Sequence, residues 1–226
     1  MRKIVGKPLP VKSALFALLL AAASPVQACK VALALTIDVS GSIDPGEYQL
    51  QMDGLAAALE DATVADALVE ARAQVTVVQW SGASRQDLTI PWRHLQSLGD
   101  VEALAEEVRN AKRPWRHFST AIGEVLTIAS GLFDDVQCSR KVIDVSGDGV
   151  SNEGPPPEDI QDRLAAAGID VNALAILGTA APGLEDYFRE KVIVGPRSFV
   201  YSATGFEDYP RAIRRKLLDE VTEPVS

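Results

Sequence analysis

Five side chains in this sequence have the types and the order to hold a hard cation. Three of them fall at alternate positions in Asp38-Val39-Ser40-Gly41-Ser42, directly after the apolar run 31–37. A β-rich run that ends in an acid, followed by two hydroxyls with a glycine between them, collects three oxygen donors on one tight turn. Mg2+ prefers near-octahedral oxygen coordination and gives up water reluctantly, so a few hydroxyls with one or two carboxylates suffice to hold it. The same turn also reads as an Asp/Ser cap on the helix that follows, and D-x-S-x-S alone does not choose between the two.

Two later stretches bear on that choice. Ser119-Thr120 opens an apolar helical run that continues through Gly123 to Leu126, and Lys141 to Asp148-Gly149 reads as a second strand ending in an acid and a glycine. In this order and spacing the three stretches resemble the metal-ion-dependent adhesion site of the von Willebrand factor A (VWA) family. That family carries D-x-S-x-S after its first strand, a threonine in T-x-x-G-x-A-L form, and an aspartate in a T-D-G turn after its fourth strand. The resemblance spans roughly residues 30 to 220 and implies that Asp38, Ser40, Ser42, Thr120 and Asp148 hold Mg2+, or Mn2+ or Ca2+ in its place. Two departures are visible. Gly147 stands where the family usually has threonine, and His117-Phe118-Ser119 replaces glycines that usually precede the threonine. The chain is also similar to a group of exported bacterial VWA-like proteins with a V-I-D-V-S-G-D-G strand and a tail like Ala212 to Leu217.

The elements that must position these donors follow from periodicity. Asp44-Pro45-Gly46-Glu47 reads as an N-cap, a proline at the first helical position and an acid completing a capping box. Tyr48, Met52, Leu55 and Leu59 continue it as one apolar face, and residues 62–70 read as an extension. Residues 74–80 are β-branched and end at Ser81-Gly82, and 88–92 form a short second strand whose Pro91 suits an edge. Asp100 is expected to cap a helix with Val101, Leu104 and Val108 inward. A helix over 120–132, a strand over 142–145, a helix ending at Ala167-Gly168 and a strand over 169–176 come next. A short helix over 184–191, a strand over 198–202 and a helix over 209–221 close the chain. Alternation on this scale predicts an α/β fold: a doubly wound, mainly parallel sheet with helices on both faces and one antiparallel edge strand. Ligands of such sheets bind beyond the carboxyl ends of the strands, where Asp38 and Asp148 both fall.

Other residues carry open readings. Asp144 is an acid inside a strand that should be buried, so it needs a partner; it either supports the site from below, sharing strand parity with Ser146 and Asp148, or bonds to a neighbouring loop. The basic, aromatic loop 112–117 places Trp115 and Arg116 just ahead of Thr120. They read either as a solvated loop with Trp115 tucked against the body or as a contact for a partner. Arg211, Arg214, Arg215 and Lys216 read as a solvated polar face of the last helix, well placed for its dipole.

Residues 1–28 read as a signal peptide: a basic start, an apolar stretch over 14–23 too short to span a bilayer comfortably, and the small-residue pattern Val26-Gln27-Ala28. The remainder, 29–226, is the right size for a single domain. The leader holds four of the 22 basic residues and none of the 31 acidic ones, leaving 18 against 31, a net charge of −13. Such a surface repels phosphate backbones, which argues against nucleic acid and anionic membrane as partners. Cys29 precedes Asp38 by nine residues and Cys138 precedes Asp148 by ten. In neighbouring strands their sulfurs would start close together, and an oxidising compartment would let them pair. A lipid-anchored Cys29 and two unrelated thiols are the other readings.

The expectation for function is an exported, non-enzymatic module, bacterial and periplasmic, with no membrane span in the mature chain. Its cation would bind an acidic group of a protein partner. A structural domain with a vestigial site is one rival, and a metal-assisted phosphohydrolase with Asp38 as nucleophile is another. The second rival lacks a nearby acid or lysine, any phosphate-cradling glycine loop, and any histidine in a recognisable spacing, since His94 and His117 are the only two.

Overall fold

The computed structural model describes residues 29–178 and 182–222. Six strands form one sheet in the order β3-β2-β1-β4-β5-β6. They are β1 (Cys29–Asp38), β2 (Gln74–Trp80), β3 (Gln86–His94), β4 (Cys138–Gly147), β5 (Ile169–Ile176) and β6 (Val200–Ala203). All neighbours are parallel except β2 and β3, which are antiparallel. The doubly wound sheet and its antiparallel edge strand are therefore present. Pro91 lies in β3 at that edge, where a missing N–H costs no ladder bond.

Strand parity divides the core in two. In β1, Leu33 and Leu35 join the cluster beneath α1 (Pro45–Glu60), α2 (Ala62–Glu70), α3 (Leu98–Arg109) and α7 (Tyr209–Val221). Ala32 and Ala34 face the opposite cluster, with α4 (Ile122–Gly131), α5 (Glu158–Ala166) and the short α6 (Leu184–Tyr187), which runs on as a π-turn through Val192. Burial of each large aliphatic side chain on these faces stabilises the sandwich by about 1.5–3 kcal/mol. In β4, Val142 belongs to the first cluster and Ile143 and Val145 to the second, so Asp144 faces α7.

Several local readings hold and others shift. Asp44 caps α1 with the full capping box and Pro45 in the first turn. Asp61 then interrupts the helix with extended backbone and caps α2 separately, so 62–70 is a second helix rather than an extension. The cap of α3 is Ser97, with Asp100 as its reciprocal partner three residues on, because the serine hydroxyl reaches the Asp100 amide. α4 starts two residues after Thr120, which leaves the threonine in the loop ahead of it.

Cys29 and Cys138 are register partners at the start of β1 and β4 and form a disulfide, with Cα atoms 4.7 Å apart. The pairing occupies the sulfur that thioether lipid attachment at Cys29 would need. No helix among the described residues is long and apolar enough to cross a membrane.

Candidate metal centre

The turn after β1 is built by backbone and side chain together. Val39 N–H donates to Trp80 O at 2.8 Å, continuing the ladder past the end of the strand, and Ser40 N–H donates to Asp38 Oδ1 at 2.7 Å. Gln51 of α1 donates through Nε2 to Asp38 O at 3.0 Å. Arg113 Nη2 bridges Val39 O at 2.9 Å and Ser40 O at 2.8 Å. This guanidinium was not singled out in the sequence. Its loop, 112–117, is basic throughout, and nothing local distinguishes the one arginine that folds back.

The later donors arrive from the neighbouring loops. Ser42 Oγ donates to Asp148 Oδ1 at 2.7 Å, and the Ser40 and Ser42 hydroxyls lie 3.3 Å apart. Thr120 is held on both sides of its peptide by the turn after β4: its N–H donates to Asn152 Oδ1 at 2.9 Å, and its carbonyl accepts from Asn152 and Glu153. Ser40, Ser42, Thr120 and Asp148 line one open pocket of about 610 Å³, with Phe118 and Asn152 at its wall. A larger groove of about 680 Å³ lies between α2 and α3, lined by Glu60, Asp66, Leu98 and Glu102 among others, and shares no residue with it.

Asp38 is completely buried, and its Oδ2 receives no hydrogen bond among the described residues. Burial first, and the charge of Asp148 second, push its carboxyl up to about 7, while Ser40 and the Arg113 charge pull the other way. Asp148 is also raised, chiefly by burial, with the Ser42 hydroxyl opposing. Hydroxyls and carboxylates are the donor types that a hard oxygen-ligated cation takes. Among the described residues no three His, Cys, Asp or Glu side chains gather closely enough to serve alone, so the hydroxyls would have to complete the shell.

Both departures from the family pattern have a local account. A side chain at position 147 would put its Cβ 3.1 Å from Asp38 Oδ2, so Gly147 leaves room for the buried carboxylate. His117 takes the left-handed conformation, φ 65°, that glycine adopts without strain, and Gly41 N–H donates to Phe118 O at 2.8 Å to hold the loop there. Gly41 must stay small, because a Cβ would lie 3.1 Å from both His117 Cα and Phe118 O.

The remaining candidates fall elsewhere. Trp115 is half-buried against the α1 side of the core, and neither it nor Arg116 lines the pocket. Phe118, read only as a loop residue, stands at the rim, 39% exposed, with the Arg85 guanidinium 3.7 Å from its ring centroid. Asp144 is buried as expected, but its side chain meets neither the site nor a loop. It pairs with Lys216 Nζ at 2.6 Å. Lys216 is thus a correction to the solvated face read for α7. It is completely buried, because it shares the inward stripe of Ile213, Leu217 and Glu220.

A family model described as "Protein of unknown function (DUF1194)" matches residues 28–225. The chain belongs to this family. No curated protein sequence matches it. Solved structures similar to this DUF1194 chain share its fold at low identity. The von Willebrand factor type A protein from Catenulispora acidiphila is 16% identical with a TM-score of 0.64, covering 87% of this chain and 44% of its own. Proximal thread matrix protein 1 from the mussel byssus, in a structure whose MIDAS motif is occupied by zinc, is 18% identical with a TM-score of 0.60, covering 85% and 46%. The pilus adhesin SpaC from Lactobacillus rhamnosus GG is 14% identical with a TM-score of 0.64, covering 86% and 30%. The chain thus spans less than half the length of each of these proteins. The fold of this DUF1194 member is VWA-like.

Proposed function

We propose that this chain is an exported, periplasmic binding module that takes an acidic group of a protein partner through a divalent cation held by Asp38, Ser40, Ser42, Thr120 and Asp148. The observation that supports it most directly is the buried, undonated Asp38 Oδ2 beside a pocket lined by the other four. A buried acceptor left without a donor costs about 1–3 kcal/mol, and a cation or a proton removes that cost. The hydroxyls of Ser40, Ser42 and Thr120 are neutral donors, so the two carboxylates alone would offset the charge of a divalent ion. Bound there, Mg2+ or a similar ion would supply a Lewis-acidic position to a partner carboxylate.

The chain's own residues favour binding over phosphoryl transfer. A nucleophilic carboxylate needs an in-line approach to phosphorus, and Asp38 is completely enclosed. Its elevated pKa also keeps it partly protonated near neutrality in the metal-free chain. In a vestigial site only a proton would compensate the carboxylate oxygen, and that proton is lost as pH rises through about 7. Residues 1–28, read as the signal peptide, lie outside the described residues. Export accords with the Cys29–Cys138 disulfide, which persists in an oxidising compartment.

Calorimetric titration of the purified domain with Mg2+ and Mn2+, paired with capture of partners from an envelope extract with and without chelator, tests this reading. Saturable uptake by the wild type that is lost in Asp148→Ala, with chelator-sensitive capture, is the expected result. Capture that survives both chelator and Asp38→Ala, or metal-dependent phosphoester turnover, would overturn it.

A further inference from the structure

The inner face of α7 carries an arrangement that the cation site does not use. Lys216 is 0% exposed, and its Nζ lies 2.6 Å from Asp144 Oδ1 of β4 and 2.5 Å from Glu220 Oε1 one helical turn on. Glu220 is also 0% exposed and Asp144 1%. Asn172 of β5 donates through Nδ2 to Glu220 Oε1 at 3.0 Å and accepts from Phe199 N–H, which fixes the amide. The Phe199 ring lies 5.9 Å from Lys216 Nζ. Leu35 pairs with Asp144 across the sheet, and Tyr209 and Leu217 are fully buried nearby on α7.

Two carboxyls against one amine, all out of water, would leave a net negative charge if every group were ionised. Burial in such surroundings favours one further proton on the cluster. Burial drives the Asp144 carboxyl upward, and burial followed by the Asp144 charge does the same to Glu220. A cluster with that proton has the composition of a neutral amine and two carboxylic acids, because moving one proton from the ammonium to the remaining carboxylate gives that set. A neutral amine whose nitrogen lies 2.6 Å from an oxygen of a protonated carboxyl is a nucleophile beside an acyl carbon, with the entropy of encounter already spent in folding.

We propose that Lys216 and Asp144 condense into an amide, an intramolecular cross-link that fastens α7 to β4, with Glu220 carrying the proton between them. The Lys216 Nζ lone pair adds to Asp144 Cγ, Glu220 gives its proton to the Asp144 hydroxyl while its other oxygen takes one from nitrogen, and the C–O bond breaks. One C–N bond forms, one C–O bond is lost, and one water leaves; nothing is oxidised or reduced. The roles of the two acids follow from their neighbours. Asn172 donates to Glu220, which holds its carboxyl in place to relay the proton. Asp144 is left as the electrophile. The product replaces a buried ion pair by a neutral amide and so removes the desolvation of two charges. This cross-link does not depend on the cation reading.

Mass spectrometry of the full purified chain, reduced and denatured, decides it. The expected mass is lower by one water than that calculated from its determined N-terminus. Trypsin should release residues 142–163 joined to residues 216–226, uncut after Lys216. Glu220→Gln and Lys216→Arg should keep the whole calculated mass, and Asp144→Asn should lose ammonia instead of water. A wild-type mass equal to the sequence, with cleavage after Lys216, would overturn the proposal. So would a water loss confined to residues 216–226, which would place the amide on Glu220. The wild-type measurement stands even where a variant fails to fold.

Discussion

Ser42 Oγ and Asp148 Oδ1 meet at 2.7 Å although 106 positions separate them in the chain. The hydroxyl occupies an oxygen lone pair that a cation would otherwise use, and the contact draws the two loops together. Asp148→Ala is therefore expected to lower Mn2+ affinity by at least about 100-fold while changing little in the core. Calorimetric titration reads the first effect. Thermal unfolding in chelator reads the second, and a large fall in melting temperature there would mean that the pair is structural.

Asp38 gives the metal-free protein a defined pH response. Its folded pKa, about 7, lies above the ordinary 3.8, so the folded state holds the proton more tightly than the unfolded chain. The penalty for ionising it is absent below about pH 4 and complete above about pH 7. Denaturant unfolding in chelator should show stability falling across that window by an amount on the order of 4 kcal/mol at most. Asp38→Asn should flatten the slope.

Arg113 is expected to matter for the turn rather than for the core. Its Nη2 serves two carbonyls at once, and Arg113→Ala would strand both at a cost of about 1–3 kcal/mol. Arg113→Lys should rescue only in part, because its ammonium has donors for both carbonyls but sits on a shorter side chain. Comparing metal affinity and unfolding midpoints of the two variants checks this.

The disulfide and the candidate site should be separable. Nine strand residues at about 3.3 Å each place Cys29 about 30 Å from Asp38. Cys29→Ser with Cys138→Ser should cost about 3–5 kcal/mol, since the closed loop is long, while leaving metal affinity unchanged. Altered affinity in the reduced, folded protein would show that the sheet transmits strain between its ends.

Much of this was legible in the chain because local patterns carry it. Strand endings placed Asp38 and Asp148 at the carboxyl edge, and cysteine spacing offered the disulfide as one of three readings. The misses have a common physical cause. Lys216 reads as a solvated residue because lysines usually are, and only Asp144, on a strand distant in sequence, gives it a reason to be inside. Arg113 is one of several cations in its loop, and the carbonyls it caps exist only once the turn after β1 has formed. Phe118 follows His117, whose left-handed backbone is uncommon for a residue with a side chain.

The disulfide joins the two central strands at the end opposite the candidate site, and β1 and β4 run side by side in parallel from there to the turn that holds Asp38. A pull entering at Cys29 and leaving through a captured partner would run along this strand pair rather than across it. Between Cys29 and Asp38 such a load would stay in the backbone of β1, and the part leaving through Asp148 would cross to β4 by the covalent bridge and by ladder bonds taken in shear. Mechanically, β1 and β4 form one strand pair, bridged covalently at one end and carrying the candidate site at the other.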